Sequence, residues 1–495
     1  MSGFVTLVGA GPGDAGLLTV KGREAIEQAE VVVYDALVGD GIMDLIPADA
    51  EVINVGKRSG NHTVPQDGIN QILVDKALEG KRVVRLKGGD PFLFGRGGEE
   101  LEELAAHGIE FCEIPGVTSA ISAPAYAGIP VTHRDFTSSV HIITGHKRAG
   151  EKLDIDFEAL VRTKGTLVFL MGVAALPDIC DGLLAGGMDP DLPASIVERG
   201  STARQRRVDA TVSTLAEKAK AEHVQAPAIS VFGGVCALGD KLDWFDRLPL
   251  KGKRVVVTRP KTRSGTLSRR LRALGAEVVE YPCIETRPIV PCPAMEQALA
   301  GIDAYEWLGF TSPAGVEALW EELEREGKDA RALGSVKLAA IGAGTAKALA
   351  AHGLKADYIP EVYDAVHMGA GLVKLAHGRV LLLRAEIGTP ELPDALTAAG
   401  IGFDDVSVYE TIYENPRSEE LRTQLEQGEI DLVTFTSAST VKGFVSSVGT
   451  DFDFSAVTGV CIGVQTEAEA KKYHMHTRVA EKATLDALIE AIRRN

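Results

Sequence analysis

Two glycine-rich segments of this 495-residue chain carry carboxylates where a phosphate-binding loop would exclude them. The first is GAGPGD (Gly9–Asp14), which follows the apolar run FVTLV. The second is GGD (Gly88–Asp90), inside RLKGGDPFLFGRGGEE (Arg85–Glu100). Glycine permits positive φ and a close approach of backbone to ligand. A carboxylate repels phosphate and accepts hydrogen bonds, so Asp90 suits ribose hydroxyls or an ammonium group. The dinucleotide fingerprint G-x-G-x-x-G needs a third glycine where this chain has Asp14. Asp35, at the end of EVVVYD, stands near the offset of a ribose-binding acid, but Asp14 would face a pyrophosphate with like charge. S-adenosylmethionine offers hydroxyls and an ammonium without phosphate. A βα turn with no ligand is the plainer alternative for the first loop. Downstream, GRGGEELEELAAHG reads as a helix start with Glu99 and Glu100 in its first turn, where carboxylates suit the helix dipole. Arg96 is open between a salt-bridge partner and a binder of a ligand carboxylate.

Strands must hold these loops. FVTLVGAG, AEVVVYD, KRVVRLKGG, SVHIITGH and GTLVFLMG are short apolar runs, each followed by a turn signal and a helix-like segment. That alternation predicts α/β units with mostly parallel sheets. The length suggests roughly three to four domains on a ~150-residue prior. A net charge of −17 argues against a nucleic-acid or general polyanion surface, so an acidic ligand must meet local basic clusters. No window approaches ~18 uninterrupted apolar residues, and no membrane span is expected. The start MSGFVTLVGAGPGD has no basic n-region, and no signal peptide is expected. The six cysteines (Cys112, Cys180, Cys236, Cys283, Cys292 and Cys461) form no CxxC pair. This predicts reduced thiols, no metal site and a cytoplasmic setting.

The second half repeats itself. KRVVVTRP resembles GRVLLLRA, LGFTSPAGVEAL resembles VTFTSASTVKGF, and LAAIGAGTAKAL resembles GVCIGVQTEAEA. The pairs Thr311-Ser312 and Thr436-Ser437 thus recur a whole domain's length apart, which means two duplicated α/β domains rather than a solenoid. The order of the repeats suggests that the chain leaves the first, builds the second and returns.

Seven motifs in order, GAGPGD, YDALV, RLKGGDPFLFGRGGEE, PGVTSA, GIPVTHRD, TGH and FLMG, resemble the tetrapyrrole methylases, specifically uroporphyrinogen-III C-methyltransferase. The remainder, with VVVTRP, FTSPAGVEAL, AIGAGTA, VYETIYE, TFTSAST and CIGVQT, resembles uroporphyrinogen-III synthase. The implied fold class is α/β: a two-subdomain methylase followed by two Rossmann-like α/β domains. The implied bounds are a methyltransferase over 1–245, a linker over 246–252 and a synthase over 253–495. The synthase lobes are expected over 253–286 plus 414–495, and over 287–413. The resemblance implies S-adenosylmethionine as cosubstrate, no metal, and a homodimer through the methyltransferase half.

Carried over residue by residue, the resemblance implies cofactor contacts at Pro12, Gly88, Gly89, Asp90, Leu93, Thr118, Ser119, Met171, Gly200 and Ala228. Ala15 stands where relatives usually have proline. Asp35 and Lys57 match acid/base residues, and Tyr409 matches a tyrosine linked to loss of a hydroxyl. The polyacidic substrate implies basic contacts, with Arg58, Arg96 and Arg134 the first candidates and Arg85, Lys87, His133, His146 and Lys147 behind them. Thr311, Ser312, Thr436, Ser437 and Thr466 are candidates for the synthase substrate. Each has a plainer reading: helix capping for the Thr-Ser pairs and Asp35, surface charge for the basic residues, strand packing for Tyr409. The implied chemistry is dehydration and cyclisation of hydroxymethylbilane, then two methylations to precorrin-2 on the sirohaem and cobalamin branch. The alternatives are a methylase with a degenerate synthase half, another tetrapyrrole methylase, a nicotinamide oxidoreductase and a non-catalytic carrier.

Overall fold

A computed structural model describes residues 3–47, 49–56, 64–146, 153–259, 261–283, 285–386, 388–412 and 418–494. Four five-stranded sheets follow one another. The first contains β1 (Phe4–Gly9), β2 (Val31–Tyr34), β3 (Glu51–Asn54), β4 (Arg82–Lys87) and β5 (Glu110–Ile114), in the order β3-β2-β4-β1-β5, all parallel. Its apolar runs are continuous because both faces are covered. Val5, Leu7, Val31 and Val33 pack toward Leu73 and Leu104 on one face. Val8, Val32, Val84 and Leu86 pack toward Ile26 and Ile42 on the other.

The second sheet contains β6 (Val140–Thr144), β7 (Thr166–Leu170), β8 (Pro193–Glu198), β9 (Arg206–Thr211) and β10 (Ala228–Phe232), in the order β6-β7-β10-β8-β9. The expectation of mostly parallel sheets fails here. Only β6 and β7 run parallel, while β7-β10, β10-β8 and β8-β9 are antiparallel. Apolar runs such as TLVFL and AISVF record burial on two faces, and burial does not encode strand direction.

The third sheet contains β11 (Arg254–Val257) and β12 (Glu277–Glu280), and the fourth β13 (Glu285–Pro288), β14 (Tyr305–Phe310), β15 (Lys337–Ala340), β16 (Arg379–Ala385) and β17 (Phe403–Ile412). The chain then returns to the third sheet with β18 (Leu432–Phe435), β19 (Thr458–Cys461) and β20 (His476–Val479). The orders are β12-β11-β18-β19-β20 and β13-β17-β16-β14-β15. The sequence repeats fall on matching neighbours, since β11-β18-β19 in one sheet corresponds to β16-β14-β15 in the other. The strand β13 belongs to the fourth sheet by its antiparallel pairing with β17.

The segment between the halves is packed rather than loose. Phe245 and Trp244 lie against Tyr126, with ring centroids 4.8 and 4.9 Å away. Leu250 is buried in the core formed by Val255, Leu271 and Leu488. Lys251 Nζ donates to the Gln205 carbonyl at 2.7 Å and pairs with Asp246 at 2.8 Å. No helix among the described residues is long and apolar enough to cross a membrane.

Candidate functional site

The parallel first sheet brings the C-terminal ends of β1, β4 and β5 side by side, so the loops that follow them meet. Backbone contact welds them. Gly11 and Gly89 exchange two hydrogen bonds, 3.1 Å from the Gly11 N–H and 2.7 Å from the Gly89 N–H. A Cβ on Gly116 would lie 2.1 Å from the Gly89 carbonyl oxygen and 2.6 Å from Gly9 Cα. Only glycine fits between these backbones. Asp90 completes the joint: Oδ1 accepts from the N–H groups of Phe92 (2.9 Å) and Leu93 (3.0 Å), and Oδ2 from Gly116 N–H (3.0 Å). This changes the reading of Asp90 from the sequence. Its first partners are the protein's own amides, and the carboxylate acts as the pin between two loops.

Asp14 is likewise engaged, accepting from Gly16 N–H at 2.7 Å and from the Tyr126 hydroxyl at 2.8 Å. Burial, and then the Asp14 carboxylate, push the Tyr126 phenol above its ordinary pKa. Thr118 caps the helix Ser119–Tyr126 through its hydroxyl, which accepts from Ala120 N–H at 3.2 Å.

A cleft of about 890 Å³ opens above these loops. Pro12, Gly88, Gly89, Asp90, Leu93, Thr118, Ser119, Met171, Gly200 and Ala228 all line it. Two sheets supply them: the first from the ends of β1, β4 and β5, the second from the end of β7, the turn after β8 and the start of β10. Strain gathers here. Of the eight non-glycine residues with positive φ among the described residues, Phe94, Met171, Arg199 and Ser201 line the cleft, as held-in strain at functional sites would predict. Gly200 is required by packing, because a Cβ there would meet Ala123 Cβ at 2.3 Å.

The wall has hydroxyls at Thr118, Ser119, Ser201 and Thr202, the Asp90 carboxylate, and apolar surface from Leu93, Leu170, Met171 and Ile229. Met171 is half exposed, at 51%. Such a lining fits a ligand with donors and a flat apolar group. Arg199 also lines the cleft, and its guanidinium makes no ion pair or hydrogen bond among the described residues. Sequence reading missed it. The arginine next to Gly200 was the available signal, but its left-handed backbone, at φ 48°, shows only in three dimensions.

The basic candidates separate sharply. Arg85 and Lys87 are buried beneath the floor and converge on Glu100 Oε1, at 3.2 and 2.7 Å. Both are thereby removed from the list of ligand-binding cations. Glu100, read as a first-turn carboxylate, is fully buried and also accepts from Gln66 at 3.2 Å. Burial, and then the adjacent Arg85 charge, hold the Lys87 amine below its ordinary pKa, with Glu100 opposing. Arg85 Nη2 also lies 3.7 Å from Asp35 Oδ2, and Asp35 Oδ1 accepts from Leu37 N–H at 3.0 Å. Asp35 is thus a partly exposed carboxylate beside the cleft-lining run Ala36–Gly39, backed by a buried cation.

Arg96 is committed to Glu99 through two hydrogen bonds, 2.9 and 2.5 Å. The pair is an exposed one, three residues apart on the helix start. Arg134 is exposed and is not among the residues lining the cleft. Lys57, Arg58 and Lys147 lie outside the described residues. Among the described residues, Glu296, Glu322 and Glu326 are the one carboxylate trio close enough to share a cation, and Arg325 already bridges them.

In the second half, both Thr-Ser pairs sit at strand-to-helix turns. Ser312 Oγ accepts from Gly315 N–H at 3.3 Å, and Ser437 forms a reciprocal cap with Thr440. Ser312 Oγ also donates to the Tyr409 hydroxyl at 2.9 Å, bringing two candidates together. Tyr409 lies on β17, opposite Pro288 of β13. Thr311 adjoins this pair at the end of β14. Thr436 and Ser437 hold the equivalent place at the end of β18 in the other lobe. Thr466 is buried in the first turn of the helix Val464–Lys471, matching Thr345 in the helix Ala343–Ala351.

The glycine joint makes a direct prediction. Gly116→Ala must force Gly9, Gly89 and Gly116 apart. We expect a cooperative unfolding transition to remain while affinity for S-adenosylhomocysteine, measured calorimetrically, falls about tenfold or more. Wild-type affinity would show that the joint does not shape the cleft.

Comparison with known proteins follows this two-part geometry. Residues 5–216 match the family model of tetrapyrrole (corrin/porphyrin) methylases, and residues 265–490 match that of uroporphyrinogen-III synthase HemD. A porphyrin biosynthesis protein HemD from Ruminiclostridium josui is 48% identical over 492 residues, covering 99% of this chain and 97% of that protein. A sirohaem synthase from Citrobacter koseri is 54% identical over 243 residues, 49% of this chain and 52% of that one. Among solved structures, the uroporphyrin-III C-methyltransferase of Thermus thermophilus complexed with S-adenosylhomocysteine is 39% identical. It covers 48% of this chain and 99% of its own, with a TM-score of 0.41. A mutant uroporphyrinogen III synthase from the same organism is 21% identical, covering 49% of this chain and 98% of its own, with a TM-score of 0.38. The chain belongs to the porphyrin-biosynthesis family in which a tetrapyrrole methylase is fused to a uroporphyrinogen-III synthase, and it is an enzyme of tetrapyrrole biosynthesis with a C-methyltransferase part and a synthase part.

Proposed function

We propose that the synthase half dehydrates and cyclises hydroxymethylbilane to uroporphyrinogen III, and that the methylase half transfers two methyl groups to that product to give precorrin-2. The observation that carries the methyl-transfer reading is the convergence of ten separate residues, from Pro12 to Ala228, on one cleft. Its hydroxyls and the Asp90 carboxylate suit the ribose and ammonium of S-adenosylmethionine. Leu93, Met171 and Ile229 suit the adenine. When bound there, the cosubstrate supplies an electrophilic methyl group to a nucleophilic pyrrole carbon.

The chain's own task is alignment and proton handling. The welded glycine loops fix the floor, so little reorganisation is needed when a ligand enters. Methyl transfer makes the attacked carbon quaternary and leaves a pyrrolinium cation. Asp35, at the cleft edge and backed by the buried Arg85 cation, is suited to stabilise that cation or to accept the proton that the macrocycle then loses from another position. Lys57 and Arg58, in the following segment, are retained as candidates from sequence. A full-chain assay with hydroxymethylbilane and labelled S-adenosylmethionine tests the whole reading, with a dimethylated tetrapyrrole as the expected product. An unmethylated product would remove the methylase assignment. Asp35→Ala should keep S-adenosylhomocysteine affinity and lose methyl transfer by roughly 10²-fold or more. A normal rate in that variant would eliminate the role.

For the synthase, the support is the Ser312–Tyr409 hydrogen bond on the fourth sheet. A tyrosine oriented by a helix-capping serine can donate a proton to the departing hydroxyl, which leaves as water. Ser312 then holds the phenol in place while its own oxygen stays fixed by Gly315 N–H. Tyr409→Phe should slow cyclisation of hydroxymethylbilane while methylation of supplied uroporphyrinogen III stays at the wild-type rate. Unchanged cyclisation would take Tyr409 out of the mechanism.

A further inference from the structure

The methylase cleft does not end within the methylase half. One side of it is formed by Arg254, Arg272 and Gly275–Val278, all from the first synthase lobe. Its volume of about 890 Å³ is near the top of the ~300–1,000 Å³ range of single-ligand sites.

Three polar contacts hold this arrangement. Lys251 Nζ donates to the carbonyl of Gln205, at the end of the cleft loop that carries Arg199 and Gly200. The Glu429 carboxylate bridges Arg254 of its own half, at 2.8 Å, and Arg204 of the methylase half, at 3.4 Å. The Arg272 guanidinium, on the helix Lys261–Ala273, reaches across to Asp44 at 3.8 Å and stands opposite Gly41.

Four arginines therefore line one cleft, and they are not equivalent. Arg254 is buried and clamped between Glu277, at 2.9 Å, and Glu429. Arg204 takes the other oxygen of Glu429. Arg199 has no partner among the described residues. Arg272 has two carboxylates nearby, Asp44 at 3.8 Å and Glu280 at 3.7 Å, both beyond hydrogen-bond reach, and a carbonyl contact to Val278 at 3.4 Å. An arginine is always charged and presents five donors in a fork that matches a carboxylate. Arg199 keeps its whole fork, and Arg272, although ion-paired at 3.7–3.8 Å with two carboxylates, donates a hydrogen bond to neither, so both retain donors for a carboxylate at the wall of this cleft.

We infer that the acceptor site of the methylase is completed by the synthase half, with Arg272 and Arg199 binding acidic arms of the tetrapyrrole. The inference rests on the methyl-transfer reading above. The synthase lobe thereby becomes part of the specificity of the second reaction, in addition to catalysing the first.

The test uses the full chain and the Arg272→Ala substitution. The KM for uroporphyrinogen III in methyl transfer should rise about tenfold or more, as loss of a charged hydrogen bond predicts. S-adenosylhomocysteine affinity and turnover of hydroxymethylbilane should stay within about twofold of wild type. Arg272→Lys, which keeps the charge and loses the fork, should recover part of the effect. A KM within about twofold of wild type would overturn the inference. So would a fall in S-adenosylhomocysteine affinity that matches the rise in KM, because Arg272 would then only hold the halves together. A wild-type chain that neither binds S-adenosylhomocysteine nor transfers methyl would instead refute the methyl-transfer reading, and the inference would fall with it.

Discussion

The carboxylate of Asp90 is the constraint from which the methylase site is built. It binds three backbone N–H groups, two in its own loop and one across the gap at Gly116. The bond to Gly116 and the bond to Leu93 are partly buried, so losing the acceptor there would leave amides that water reaches poorly, at a cost of up to about 1–3 kcal/mol each. The glycines at 9, 89 and 116 let the three loops come close enough for this to happen. Everything above them inherits the geometry: Leu93 is fixed by Asp90 itself, and Thr118 follows Gly116 by two residues into the capped helix. A negative charge at this joint also rules the site toward ligands that bring donors rather than phosphates.

Beneath the floor, a second polar assembly sets the position of Asp35. Glu100 is fully buried and shared by Arg85 and Lys87, so two cations balance one internal carboxylate and the nearby Asp35. Breaking such a group by removing one member leaves an uncompensated buried charge, which is far costlier than losing a surface pair. The catalytic candidate is thus anchored by residues that do not line the cleft.

Much of this was legible in the residues. The apolar runs located strands in all four sheets, and the repeated FTS motifs placed Ser312 and Ser437 at equivalent helix starts. The glycine loops marked the cleft. Three things were not legible, each for a physical reason. Strand direction in the second sheet is invisible because TLVFL and AISVF report only burial. Whether Arg85 and Lys87 face ligand or core depends on Glu100, fifteen and thirteen positions away, and no local pattern connects them. Arg199 and Arg272 come from different halves of the chain, and only the packing of the tether, through Phe245, Leu250 and Lys251, brings them to one cleft. Sequence patterns identify elements well, whereas partners across elements require the fold.

The Asp90 carboxylate, by pinning its loop to Gly116, shapes the cleft of the methylase half. Calorimetric titration of S-adenosylhomocysteine into the full chain carrying Asp90→Asn tests it most directly. Asparagine keeps the size and one acceptor oxygen but cannot serve the amides of residues 92, 93 and 116 together without an N–H facing an N–H. Affinity should weaken by about tenfold or more, with cooperative unfolding of the methylase half retained. Wild-type affinity in that variant would contradict it.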